Sequence, residues 1–103
     1  MDIRKIKKIA VQYSKLVDEH YETEKIILFG SYAKGNARPE SDIDIAVVMN
    51  YPESDWLKIS SSLHRLKTTI DMRIEPILLS PDQDVSGFLE EIDKHGIHLS
   101  KVA

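Results

Sequence analysis

Residues 28–48 read Leu28-Phe29-Gly30-Ser31-Tyr32-Ala33-Lys34-Gly35-Asn36-Ala37-Arg38-Pro39-Glu40-Ser41-Asp42-Ile43-Asp44-Ile45-Ala46-Val47-Val48. Two apolar runs flank a polar segment. The first run begins at Lys25 and stops at Gly30, and its isoleucines and phenylalanine predict a buried strand over 25–29. Two glycines and a proline break residues 30–41, which leaves space for no more than a helical turn. From Asp42 to Met49 an apolar run resumes, a second strand with polar residues at its entry. The two strands can pair as a hairpin closed by a long loop.

Toward the N-terminus, Ile3, Ile6, Ala10, Tyr13, Val17 and Tyr21 recur at three- or four-residue steps, which predicts an amphipathic helix over about 2–21. Toward the C-terminus, Ser54 is placed to cap a helix that carries Trp56, Ile59, Leu63, Leu66 and Ile70 on one face and runs to about Ile70. Residues 73–79 form a third strand, and the strand, helix, strand order from 42 to 79 predicts a right-handed parallel crossover. Ser80-Pro81-Asp82 breaks that strand. Ser86 ahead of Phe88, Leu89 and Ile92, with Gly96 as the stop, predicts a short last helix, and residues 97–99 add an edge strand. Trp56 and both phenylalanines fit core positions.

The chain has 103 residues, enough for one domain over 1–103 and no second core. With 42% hydrophobic and 30% charged residues and a net charge of -3, its composition is that of a globular protein rather than a disordered or membrane-spanning one. The charged N-terminus holds no uninterrupted apolar signal segment, so a cytoplasmic location is expected. Zero cysteines exclude disulfides, thiolate catalysis and thiolate zinc sites. The acidic balance argues against nucleic-acid backbone binding as the main activity, because that binding needs clustered Lys and Arg. His20, His64, His95 and His98 show no metal-ligand spacing.

Asp42 and Asp44 lie two apart at a strand entry, so both carboxylates project from one face. Two like charges side by side are costly unless a cation neutralises them, and hard oxygen ligands suit Mg2+. A pair of solvated edge aspartates is the plainer alternative. Gly30-Ser31 adds a second element: a residue without Cβ where the first strand ends admits a phosphate closely, the turn offers backbone N–H groups, and Ser31 supplies a hydroxyl.

Gly30-Ser31, ten residues, then Asp42-x-Asp44, set between two apolar strands, resembles the signature of the DNA polymerase β-like nucleotidyltransferase superfamily, and residues 28–48 look like its minimal nucleotidyltransferase branch. The resemblance implies an α/β (α+β) fold: a small mixed β-sheet with helices packed on one side. It implies that Asp42 and Asp44 hold two Mg2+ ions and that Gly30 and Ser31 grip the β- and γ-phosphates of an NTP. A third carboxylate on the neighbouring strand normally completes such a site. Glu75, with apolar neighbours on both sides, is preferred here, and Asp71, near the helix exit, is the alternative. The family more often carries Asp at that position. Lys34 and Arg38 in the loop are candidates to reach triphosphate oxygens.

Larger members of the superfamily carry an extra helical domain for their acceptor; none is expected within these 103 residues, so the acceptor is expected on a separate protein. By resemblance that partner is a HEPN-domain ribonuclease toxin, and the chain is its antitoxin, using ATP to AMPylate a toxin tyrosine. Rivals are a non-catalytic antitoxin that acts by occlusion, and nucleotidyl transfer to a small molecule or an RNA end.

Overall fold

Asp2 opens the first helix by accepting a hydrogen bond from the Arg4 amide at 3.0 Å. That helix, α1, spans Ile3–His20 and turns Ile6, Ala10, Tyr13 and Val17 inward at helical spacing. The computed structural model describes residues 2–84 and 86–99. After α1 come β1 (Lys25–Phe29), the single-turn α2 (Ser31–Lys34), β2 (Ile43–Val48), a 3-10 turn (Glu53–Asp55), α3 (Trp56–Lys67), β3 (Ile74–Leu79), α4 (Phe88–His95) and β4 (Ile97–His98).

The four strands form one mixed sheet in the order β3-β2-β1-β4. β1 runs antiparallel to β2 and to β4, while β2 and β3 are parallel, as the hairpin and crossover require. Alternation along the strands sends two sets of side chains to opposite faces. Ile26, Leu28, Ile43, Ile45, Val47, Ile74 and Leu78 meet the buried stripes of α1 and α3 in the main core. Tyr13 ties the two helices together there, its hydroxyl donating to the Leu63 carbonyl at 2.8 Å.

The expectation of helices on one side holds for α1 and α3. The short α4 covers part of the other face, where Ile92 packs against Ile27 and Ala46. The physical reason is that β1 and β2 are apolar on both faces at mid-sheet, and the second face needs its own cover.

Several helix ends differ from expectation. α3 stops at Lys67 rather than Ile70, because Thr68 and Thr69 turn their hydroxyls onto the carbonyls of Arg65 and Leu66, at 2.7 and 3.1 Å, and the chain tightens into turns. Asp84, not Ser86, caps α4, accepting from the amides of Leu89 and Glu90 at 2.8 and 3.0 Å. Gly96 does end α4, but through space rather than a left-handed turn: a Cβ there would strike Ile27 Cγ2 and sit 2.6 Å from the Ile92 carbonyl. Trp56 and Phe88 are not core residues. Each sits in the first turn of its helix, 45% and 42% exposed, although Phe88 still sets its ring edge-on to Phe29 of β1, with ring centres 5.8 Å apart.

Candidate active site

Ile43 and Ile45 point into the main core, so Asp44 between them must face the other way, onto the partly covered side of the sheet. Asp42, just before β2, shares that side, and its charge is felt at Asp44. Pairing in register sets Phe29 of β1 and Glu75 of β3 on either flank of Asp44. The Asp44 carboxyl is consequently pushed above the usual carboxylate range, first by burial and then by the charges of Asp42 and Glu75. Among the described residues, Asp42 and Asp44 make no hydrogen bond or ion pair through their side chains.

Gly30 closes the space next to this acid pair. Its φ of 76° and ψ of -151° fall where only glycine is comfortable, and a Cβ would run into the Asp44 Oδ2, with Cγ at 3.1 Å. The backbone turn and the carboxylate are therefore in direct contact. Ser31 starts α2 and is half-buried, and Tyr32 anchors the turn by entering the main core and donating to the Arg38 carbonyl at 3.2 Å. The first backbone bond of α2 runs from the Lys34 amide to the Gly30 carbonyl at 3.1 Å, so the amides of Ser31, Tyr32 and Ala33 precede the helical ladder and have no partner within it. Lys34 is exposed at the end of α2 and lines a cavity of about 610 Å³, together with Gly30, Phe29 and, from α4, Phe88, Glu91 and His95. Arg38 is exposed in the loop; its amide is fixed by the Ser41 hydroxyl at 2.8 Å, and its side chain has no partner among the described residues.

The two candidates for a third carboxylate have different surroundings. Asp71 is engaged by Arg73, accepting from its amide at 2.9 Å and from its guanidinium at 3.0 and 2.7 Å, and that hydrogen bonding holds the Asp71 carboxyl below its ordinary value. Glu75 stands opposite Asp44 on the adjoining strand. Among the described residues one basic group reaches it: Lys67 in the last turn of α3, with Nζ 3.3 Å from Oε1. Sequence reasoning overlooked Lys67, although a signal was there, since a lysine continues the buried four-residue stripe Ile59, Leu63. It also missed the cavity under α4, whose walls come from distant segments.

A hard divalent cation suits the chemistry of this donor set, because Asp42 and Asp44 present carboxylate oxygens with no ion-pair partner among the described residues. Among the described residues no three acidic or imidazole side chains cage an ion by themselves. An ion held jointly by one or two carboxylates and by phosphate oxygens, the usual habit of Mg2+, needs no such cage.

The family described as Polymerase beta, Nucleotidyltransferase matches residues 4–101. A provisionally named protein adenylyltransferase of Methanocaldococcus jannaschii is 38% identical over 68 residues, 62% of this chain and 68% of that protein. Among solved structures, a provisionally assigned nucleotidyltransferase from Sulfolobus solfataricus superposes with a TM-score of 0.69 at 22% identity, over 96% of this chain and 83% of its own. A toxin-antitoxin complex with AMP-PNP superposes with a TM-score of 0.63 at 22% identity, over 89% of this chain and 73% of that one.

Proposed function

The chain belongs to the polymerase β nucleotidyltransferase family, and from that premise we propose that it is a protein adenylyltransferase that moves AMP from ATP to a tyrosine hydroxyl of a partner HEPN-domain ribonuclease toxin, silencing it as an antitoxin. The observation that carries this reading is the contact of Gly30 with the Asp44 carboxylate, which joins the glycine turn and its leading amides to an acidic pair. The relative named for protein adenylyltransferase activity and the fold shared with a toxin-antitoxin complex support a protein acceptor.

In this reading Asp42, Asp44 and Glu75 would hold Mg2+, and the ion would supply charge neutralisation at the phosphates and acidify the acceptor hydroxyl. The free amides after Gly30 and the Ser31 hydroxyl hold the β- and γ-phosphates and take up charge on the leaving pyrophosphate. Lys34 and Arg38, both exposed beside the turn, add counter-charge for the triphosphate. The tyrosine oxygen bonds to the α-phosphorus, the bond from that phosphorus to the β-phosphate bridging oxygen breaks, and the hydroxyl proton passes to the Glu75 carboxylate. Products are the adenylylated tyrosine and pyrophosphate.

The test is intact-mass analysis of the co-purified toxin after incubation with ATP and Mg2+. A gain of one adenylyl group on a tyrosine, lost in the Asp42→Ala, Asp44→Ala double variant, is expected. A double variant that still neutralises the toxin in full would mean silencing by occlusion and would sink the enzymatic reading.

A further inference from the structure

Among the described residues Lys67 is the one basic side chain whose ammonium meets Glu75 of the candidate site, and it is the least exposed lysine or arginine in their ion pairs, at 12% of its side-chain surface. An ammonium drawn this far from water must be paired, and its hydrogen bond goes to Glu75 Oε1 at 3.3 Å. Glu75 itself is 47% exposed, so the lysine is the fixed member and the glutamate the one being held. A glutamate has one more rotatable bond than an aspartate, and an unrestrained one would sample positions away from Asp44.

We propose that Lys67 is the positioning residue of this site: it fastens one oxygen of Glu75 from the end of α3 and leaves the other directed to the acidic pair on β2. The inference rests on the nucleotidyl-transfer reading for its purpose and on the geometry of α3 and β3 for its substance. The early stop of α3 contributes to it, because residues 68–70 leave the helical path just after Lys67 and return the chain to β3. Glu75 lies on the edge strand of the sheet, where a side chain from the α3 layer can reach around to the opposite face.

Two measurements on the full chain test this. In 15N NMR of lysine ammonium groups, Lys67 is expected to give a slowly exchanging resonance that disappears in Glu75→Gln and persists when Mg2+ and a non-hydrolysable α,β-methylene ATP analogue are added. A Lys67 ammonium that exchanges as fast as surface lysines, or that ignores Glu75→Gln, overturns the proposal. In AMP transfer from labelled ATP to the co-purified toxin, Lys67→Met is expected to lower kcat about tenfold with KM for ATP little changed, Lys67→Arg to recover most of the loss, and Lys67→Met to add nothing on a Glu75→Gln background. Additive losses, or a loss confined to KM, overturn it as well. If the parent chain transfers nothing, or Asp44→Asn transfers as well as the parent, the nucleotidyl-transfer reading fails instead, and the NMR result still decides whether Lys67 holds Glu75.

Discussion

At Asp44 the demands of stability and of the proposed reaction oppose one another on one side chain. Burial and two neighbouring carboxylates raise its pKa, so the folded chain binds this proton more tightly than the unfolded chain does. Stability must then fall as pH rises from the ordinary carboxylate range through the raised value, and at neutral pH the ionised Asp44 is a net cost to the fold. In the presence of EDTA, Asp44→Asn is expected to melt above the parent near neutral pH, with the advantage shrinking as pH falls into the carboxylate range and vanishing where both states are protonated. Thermal melts across that range check the sign; an advantage that grew at low pH would contradict the electrostatic account. The same substitution is expected to abolish nucleotidyl transfer, a trade of activity for stability common at sites built from like charges.

At the scale of elements, the two apolar runs, the glycine-rich turn and the amphipathic α1 were legible because each has a local cause: alternation, a backbone breaker or a three-four repeat. Helix ends were less so. Ser86 looked like the start of α4, yet Asp84 supplies both oxygens to the amides of Leu89 and Glu90. No local pattern marks a cap five residues ahead of its donor. Asp84→Ala is therefore expected to cost about 1 kcal/mol in urea unfolding, whereas Ser86→Ala is expected to change stability by no more than a few tenths, about the spread of an exposed surface position. Equal effects would mean that α4 is held by its packing on Ile27 and Ala46 rather than by its cap. Lys67 was hidden for a related reason: its stripe position is visible in sequence, but its partner lies on another element and is brought near only by the early end of α3.

Over the whole molecule, register converts these local elements into a site. Pairing of β2 with both neighbours places Asp44 between Phe29 and Glu75, and the preference for Glu75 over Asp71 follows the same logic, since Asp71 has Arg73 as its partner before β3 begins. The cavity beside Gly30 was not legible at all, because β1, α2 and α4 contribute its walls. A chain of net charge -3 that gathers three carboxylates on one sheet face carries self-repulsion, which a divalent cation would relieve and which an anionic nucleotide would add to unless that cation came with it. Ligands that bind only the folded state stabilise it by mass action, by about 2.7 kcal/mol at a concentration one hundred times the dissociation constant. For a domain of this size that corresponds to a melting shift on the order of 10 °C. Mg2+ with the α,β-methylene ATP analogue is accordingly expected to raise the melting temperature far more than either alone, and EDTA to cancel the gain. Asp42→Asn and Asp44→Asn should each remove most of that joint shift, while Asp71→Asn, after allowance for its lost Arg73 pairing, should retain it. A full shift in the Asp44 variant would separate nucleotide binding from the acidic pair and leave the turn at Gly30 without a catalytic neighbour.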